Sequence, residues 1–173
     1  MWIIGFVVMV LLGFTGYQDF KFRAVYWWIF PLLLMGLSCL AIQTIGWNAV
    51  FRHSYQNLAF LLIQMLFLTV YFSLKNKALL NIFDGYLGLG DLLFLLCISV
   101  YFSFGNYIVF YILSLLVVIL FSLAARQVFK VTEQKIPLAG YQAILLFILL
   151  LADQFSPAFS LVSDEWLISY IGA

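Results

Sequence analysis

Residues 107–125 read YIVFYILSLLVVILFSLAA and contain no charged side chain. A helix needs roughly 20 predominantly apolar residues to cross the hydrocarbon core of a bilayer, and this stretch is close to that length. It lacks the alternating pattern of the ~10-residue strands that build membrane barrels. The run therefore predicts a membrane-spanning helix.

The composition of the whole chain agrees with this prediction. Of its 173 residues, 66% are hydrophobic and 9% are charged, whereas soluble globular proteins average about 25% charged residues. Mean hydropathy is +1.15. The net charge of +1, without a Lys/Arg cluster, offers no electrostatic footprint for nucleic acid. The chain is predicted to be an integral membrane protein, which excludes a soluble enzyme, a nucleic-acid-binding protein and a disordered regulator.

Apolar runs between the charges divide the chain into six predicted spans. They cover residues 2–17, 25–45, 58–74, 92–104, 107–125 and 137–152. Gly105 and Asn106 separate the fourth from the fifth, and such a pair is a turn signal, so a tight helical hairpin is expected there. Because lipid offers no hydrogen-bond partner to the backbone, the spans should be helices. The predicted fold is an all-α, six-transmembrane-helix bundle that forms a single domain over residues 1–173.

The positive charges predict the orientation of this bundle. Seven of the eight basic residues fall on alternate connections: Lys21, Arg23, Lys75, Lys77, Arg126, Lys130 and Lys135. By the positive-inside rule that side is cytoplasmic, so both termini should lie outside the cytoplasm. The first span is followed by basic residues and is not preceded by them, which is typical of a retained helix. The tail after Gln154 is interrupted by Asp164 and Glu165, and we expect it to lie as an amphipathic segment on the outer interface.

Two acidic residues are predicted to lie at the same membrane face. Asp19 ends the first span and Asp91 begins the fourth, so helix parity brings both to the cytoplasmic side at similar depth. Two neighbouring carboxylates do not both ionise cheaply, and a pair that shares one proton can activate a water and protonate a leaving group, as in aspartic proteases. Position alone equally allows structural roles. Asp91 could cap a helix, and Asp19 could pair with Lys21 or Arg23.

The histidine and the cysteines form no candidate ligand set. His53 is predicted to lie beside Arg52 in an outer loop, with no acid or cysteine nearby in sequence, and we interpret it as an interfacial polar residue. Cys39 and Cys97 each lie alone in an apolar run, so they are interpreted as small core residues. No metal site and no cofactor are predicted.

Three stretches, taken in order, resemble the type IV prepilin peptidases. Residues 19–25, DFKFRAV, resemble the first aspartate motif of that family, an Asp at a helix end followed by basic residues. Residues 88–91, GLGD, match its GxGD signature, which other intramembrane aspartyl peptidases share. Residues 136–139, IPLA, look like the Ile-Pro-Phe stretch that opens the last helix. The resemblance covers nearly all of the chain and is to a short form without the N-methyltransferase insert.

This resemblance implies an integral inner-membrane aspartyl endopeptidase. Such an enzyme removes the leader of prepilin-like or pseudopilin precursors at the cytoplasmic face. Asp19 and Asp91 would be the catalytic pair, while Gly88 and Gly90 would let the backbone turn and Pro137 would suit the first turn of the last helix. The implied partners are the precursor substrates and the bilayer, without nucleic acid.

The sequence departs from the family pattern at three points. Tyr26 replaces the usual proline after the first motif, Leu93 replaces the usual lysine two positions after the GxGD aspartate, and the paired CxxC motifs of the insert are missing, so methylation is not expected. Leu93 favours a second hypothesis, a catalytically inactive homologue that acts as a membrane scaffold or assembly component of a pilus or secretion system. The retained Asp19 and Asp91 favour the peptidase. A transporter is disfavoured because no ionisable residue lies in the middle of a predicted span.

Overall fold

A computed structural model of the protein describes residues 2–77, 88–129, 137–155 and 159–171. The described residues are helical and include no strand, which confirms the predicted all-α class. They form seven helices: α1 (Trp2–Phe22), α2 (Ile29–Ile45), α3 (Trp47–Asn76), α4 (Leu89–Ile98), α5 (Phe104–Phe129), α6 (Leu138–Phe155) and α7 (Glu165–Ile171). The sequence predictions that involve Lys130, Lys135 and Ile136 lie outside the described residues.

Four of these helices, α1, α3, α5 and α6, are long and apolar enough to cross a membrane. Their outward faces carry large apolar side chains, such as Ile3, Leu62 and Ile148, which are 80%, 70% and 55% exposed. Contiguous apolar surface of this kind is costly in water and is suited to contact with lipid chains. These features are those of a membrane-embedded protein. The helices α2 and α4 are shorter, with 17 and 10 residues.

Two predicted loops proved wrong. Gly105 and Asn106, the expected hairpin turn, lie in the first turn of α5, and residues 99–103 make the connection from α4. Arg52 and His53 lie in helix α3 and not in an outer loop. The chain turns earlier, at Gly46, whose φ of +79° is accessible to glycine at little steric cost. Helix α3 can therefore start directly after it, at Trp47.

Helix α1 packs along α6 and α2, while α4 contacts both α2 and α6. Small residues allow the close approach of α1 to its neighbours. A Cβ atom on Gly36 of α2 would lie 2.6 Å from Cγ2 of Val8, and one on Gly16 would lie 3.8 Å from the carbonyl oxygen of Gly140. Apolar side chains of α1, α2, α4 and α6 fill the shared core: Val8, Leu12, Leu33, Leu37, Phe94, Ile98 and Leu146. This packing brings the C-terminal end of α1 to the N-terminal ends of α4 and α6.

The tail after α6 is tied to the start of α5. Asp164 accepts hydrogen bonds from the Ser103 hydroxyl (2.6 Å) and from the backbone N–H groups of Gly105 (3.3 Å) and Asn106 (3.2 Å). It thus satisfies N–H groups that have no acceptor within their own helix. The Asn106 amide donates in turn to three tail carbonyl groups, those of Ser160, Leu161 and Ser163. The tail is therefore part of the folded bundle, and the prediction of a segment that only lies on the interface missed these contacts.

Replacing Asp164 by alanine should destabilise the protein, because α5 loses its capping carboxylate and the Ser103 hydroxyl loses an acceptor. We expect Asp164→Ala to lower the free energy of unfolding by about 0.5–2 kcal/mol, as for other lost helix caps. Unfolding in detergent, followed by circular dichroism, measures this change. The neighbouring Glu165 is exposed, so Glu165→Ala should change stability by less than about 0.5 kcal/mol. Equal effects of the two substitutions would contradict the capping role.

Candidate functional site

Asp19 and Asp91 meet at the first turn of α6. The backbone N–H of Gly140 donates to Oδ2 of Asp19, with an N···O distance of 2.6 Å. The N–H of the preceding residue, Ala139, donates to Oδ1 of Asp91 at 2.8 Å. Because the two donors are consecutive in one helix, the two carboxyl groups lie side by side. The expectation that helix parity brings them to one end of the bundle agrees with this geometry.

Helix α6 presents these donors in its first turn, directly after Pro137. Pro137 is buried and immediately precedes Leu138, and its carbonyl oxygen accepts the N–H of Tyr141 at 3.2 Å. The N–H groups of the first turn have no acceptor within their own helix, and the helix dipole places partial positive charge at this end. Such a helix start binds anionic groups readily. The sequence predicts Pro137 in the first turn of the last helix, whereas it lies directly before that turn, which begins at Leu138.

Asp91 is the third residue of α4 and is not its N-cap. The N-cap is Gly88, whose carbonyl oxygen accepts the Asp91 N–H at 3.1 Å. The Gly88 backbone (φ −71°, ψ 135°) is one that any residue adopts, so conformational freedom is not what a glycine supplies here. A glycine at this position instead supplies space, because a Cβ atom on Gly88 would lie only 2.8 Å from Oδ2 of Asp91. Gly90 leaves room toward the Phe30 ring, 3.8 Å from its ideal Cβ.

Asp19 lies within α1, which continues to Phe22, and not at the helix end. Its side chain is only 7% exposed and points to α6, where Gly140 makes room for it. A Cβ atom on Gly140 would come within 3.1 Å of Oδ2 and 3.2 Å of Cβ of Asp19. The Lys21 ammonium donates to the hydroxyl of Tyr17 at 2.7 Å. Asp19 accepts its hydrogen bond from the α6 backbone, and of the two predicted basic partners it is Arg23 whose charge interacts favourably with its carboxyl group.

The two carboxyl groups influence each other electrostatically. Asp91 is in the first turn of the short helix α4, outside the four long apolar helices. Burial raises the pKa of its carboxyl to about 6, and the nearby Asp19 adds to the rise, against the opposing effect of the N–H groups of Ala139 and Gly88. The Gly88 contact is that of a third helical residue reaching back to the N-cap, so Asp91 also supports the start of its own helix.

Comparison of the chain with protein-family models, with curated proteins and with solved structures gave no match. The roles of the residues at this site are therefore argued from their geometry. Among the residues that the structure describes, no three His, Cys, Asp or Glu side chains come together as metal ligands.

Of the two cysteines, one is placed as expected. Cys97 is buried, and its Sγ donates to the carbonyl oxygen of Phe30 at 3.2 Å, which confirms it as a core residue. Cys39 is exposed on α2, so its interpretation as a core residue was wrong. The apolar run around it has one face toward the core and one face away from it, and composition does not distinguish the two.

The sequence analysis missed Ala139 and Gly140, which contribute through their backbone. No pattern of side-chain types reveals a backbone donor. The signal that was present is Pro137, because a proline that opens a helix marks the following N–H groups as unsatisfied donors.

A Cβ atom at position 140 should disturb the site. Alanine in place of glycine normally stabilises a helix by about 1 kcal/mol, and Gly13 of α1, whose Cβ would meet nothing within 4 Å, should show that gain. Gly140→Ala must displace Asp19 or weaken its hydrogen bond. We expect it to lower the free energy of unfolding by about 1–3 kcal/mol, the cost of a lost bond to a charged group.

The measurement is the thermal unfolding of Gly140→Ala, Gly13→Ala and the unchanged protein in the same detergent. A Gly140→Ala protein as stabilised as Gly13→Ala would show that α1 and α6 are not held this closely.

Proposed function

We propose that this chain is an integral inner-membrane aspartyl endopeptidase that removes the leader of prepilin-like or pseudopilin precursors. The observation that carries this proposal is the placement of Asp19 and Asp91 on adjacent N–H groups of α6. Two half-buried or buried carboxyl groups, close enough to influence each other, are the minimum that this chemistry requires. The motifs at residues 19–25, 88–91 and 136–139 supply the substrate class.

The proposed mechanism needs one proton shared by the pair. The ionised carboxylate takes a proton from a water molecule as that water attacks the scissile carbonyl carbon. The protonated carboxyl gives its proton to the carbonyl oxygen, which leaves a gem-diol intermediate. When this intermediate collapses, the leaving amine takes the proton that the first carboxyl group removed from water, and a gem-diol hydroxyl returns a proton to the second carboxylate. The α6 N–H groups hold both side chains in place throughout. Because water is the nucleophile, no covalent enzyme intermediate forms.

A groove beside Asp19 suits an apolar substrate segment. Gly16 and Phe20, which lie one turn before and directly after Asp19 in α1, line an open groove of about 510 Å³ with Gly13 and Ile144. Its walls are largely apolar, and it opens on the outer surface of α1 and α6. A membrane-embedded precursor could lie along it with its leader near the carboxyl groups. Lys21 lines the same groove toward its end nearest the helix terminus.

We also propose that α2 and the part of α4 that follows Asp91 lie within the bilayer among the four long helices, which completes the six-span arrangement and leaves Asp91 at the membrane boundary. The pair would then face the cytoplasm, and both termini would lie outside it. This orientation rests on the positive-inside rule.

The decisive experiment incubates the purified protein in detergent with a pilin-like precursor. Asp19→Asn and Asp91→Asn should each abolish cleavage, because Asn does not take up a proton as a general base does. Asn keeps a side-chain oxygen that accepts the α6 N–H, so a purely structural role would survive both changes. The double variant should be about as inactive as either single one, since residues that act as a unit are strongly non-additive.

The matched control is Asp164→Asn. Asp164 also accepts backbone N–H groups at a helix start, but at α5, and Asn caps helices as well as Asp. This variant should keep most of its activity.

Cleavage by Asp19→Asn or Asp91→Asn at the unchanged rate would refute the proposed peptidase function. If the unchanged protein does not cut and yet restores pilus or secretion assembly in a deletion strain, the scaffold function, which Leu93 favours, replaces it.

The rate should fall as the pH rises. A carboxyl group with a raised pKa is neutral below that value and ionised above it, and the pKa of Asp91 is raised to about 6. Above this pH the pair loses its shared proton, so kcat/KM should decrease, by up to about tenfold per pH unit. The measurement is the initial cleavage rate between about pH 5 and pH 8. Asp164→Asn is the control, and its cleavage rate should depend on pH as that of the unchanged protein does. A rate that increases through this range would exclude a singly protonated pair.

A further inference from the structure

A second candidate site lies at the other end of the bundle. A cavity of about 390 Å³ opens between the start of α1, the end of α2, the end of α6 and the tail. On α1 it is lined by Trp2, Gly5 and Met9, which precede Asp19 by about 15–26 Å at 1.5 Å per helical residue. Its volume is within the range of small-molecule sites, roughly 300–1,000 Å³. This cavity is separate from the carboxylate pair and has no part in the proposed peptidase mechanism.

Most of the cavity wall is apolar, and one acidic side chain stands in it. Asp153 accepts hydrogen bonds from the hydroxyl of Tyr101 (3.1 Å) and from the N–H of Leu161 (3.2 Å). A carboxylate offers about four acceptor positions, and donors from the described part of the chain occupy two of them. The lining residues in the described part of the chain include no Lys, Arg or His. A cation that donates hydrogen bonds would therefore complement this wall.

The surroundings indicate where such a cation comes from. Trp2 at the cavity rim is 78% exposed and the adjacent Ile3 is 80% exposed. An exposed tryptophan beside exposed aliphatic side chains is typical of a membrane–water interface. At this depth the abundant ammonium groups with attached apolar chains are those of zwitterionic lipid headgroups. Ser160 and Gln154, which also line the cavity, offer further oxygen acceptors for a group with several N–H donors.

We propose that this cavity binds the primary ammonium headgroup of a membrane phospholipid, with the ammonium on Asp153 and the acyl chains along the outer face of α1. A primary ammonium carries three N–H donors, which match acceptor positions of Asp153 and the oxygens of Ser160 and Gln154. A quaternary ammonium has the same charge and no N–H donor. The cavity should therefore distinguish phosphatidylethanolamine from phosphatidylcholine, two lipids of equal net charge.

Native mass spectrometry of the full chain tests this proposal. The protein is delipidated in a non-ionic detergent and titrated with phosphatidylethanolamine or with phosphatidylcholine of the same acyl chains. We expect one molecule of phosphatidylethanolamine to be retained, with at least about tenfold preference over phosphatidylcholine, as one lost charge-assisted hydrogen bond implies. Equal retention of both lipids, or of neither, overturns the proposal.

Two variants locate the bound lipid. Asp153→Asn removes the charge and keeps an oxygen for the Leu161 N–H, and it should weaken retention by about tenfold or more. Gly5→Leu places an apolar side chain in the cavity and leaves Asp153 unchanged; a Cβ atom on Gly5 meets nothing within 4 Å, so there is space for the first atom of the new side chain. It should abolish retention while α1 stays helical. Glu165→Gln, an exposed acid near the same end, should retain lipid unchanged.

If Gly5→Leu retains phosphatidylethanolamine as the unchanged protein does, the lipid lies elsewhere and the site is refuted. If Asp153→Asn folds, as judged by its circular dichroism, and retains the lipid with unchanged preference, the acidic wall is not the selective feature.

Discussion

The first turn of α6 carries N–H groups that its own helix does not satisfy, and leaving such a group buried without an acceptor costs about 1–3 kcal/mol. Asp19 and Asp91 supply the acceptors. Because one comes from α1 and the other from α4, the ends of three helices must meet at this point. Gly88 and Gly140 leave the space that the two carboxyl groups occupy. The packing of α1 along α6 and of α4 against both its neighbours is consistent with this requirement.

The same interaction has chemical consequences. The positive end of the α6 dipole offsets part of the repulsion between two neighbouring carboxyl groups. Removal from water raises the pKa of Asp91 and so favours a single shared proton. Helix capping and proton sharing therefore do not exclude each other here. Asparagine substitution separates them, since it preserves the acceptor and removes the proton exchange.

Acidic side chains accept hydrogen bonds from backbone N–H groups at both ends of the bundle. Asp164 caps α5, and Asp153 accepts the N–H of Leu161 in the tail. In a chain with so few polar side chains, and with little water inside a bilayer, each such N–H must find an acceptor within the protein. This constraint accounts for the tail being tied to the α4–α5 connection. Asp153 also lines the cavity at that end.

Hydropathy and helix parity were sufficient to predict an all-α membrane protein and to place Asp19 and Asp91 at one end of it. Hydropathy depends on residues that are close in sequence, and parity requires only a count of the spans between the two aspartates, so both can be read without the fold. The start of α5 could not be predicted in the same way, because its cap, Asp164, lies far along the chain from the helix it completes. The role of Ala139 and Gly140 could not be predicted either, because they contribute backbone N–H groups and their side-chain types do not indicate this. Only the packing of α1 and α4 against α6 decides which backbone N–H groups the two carboxylates reach.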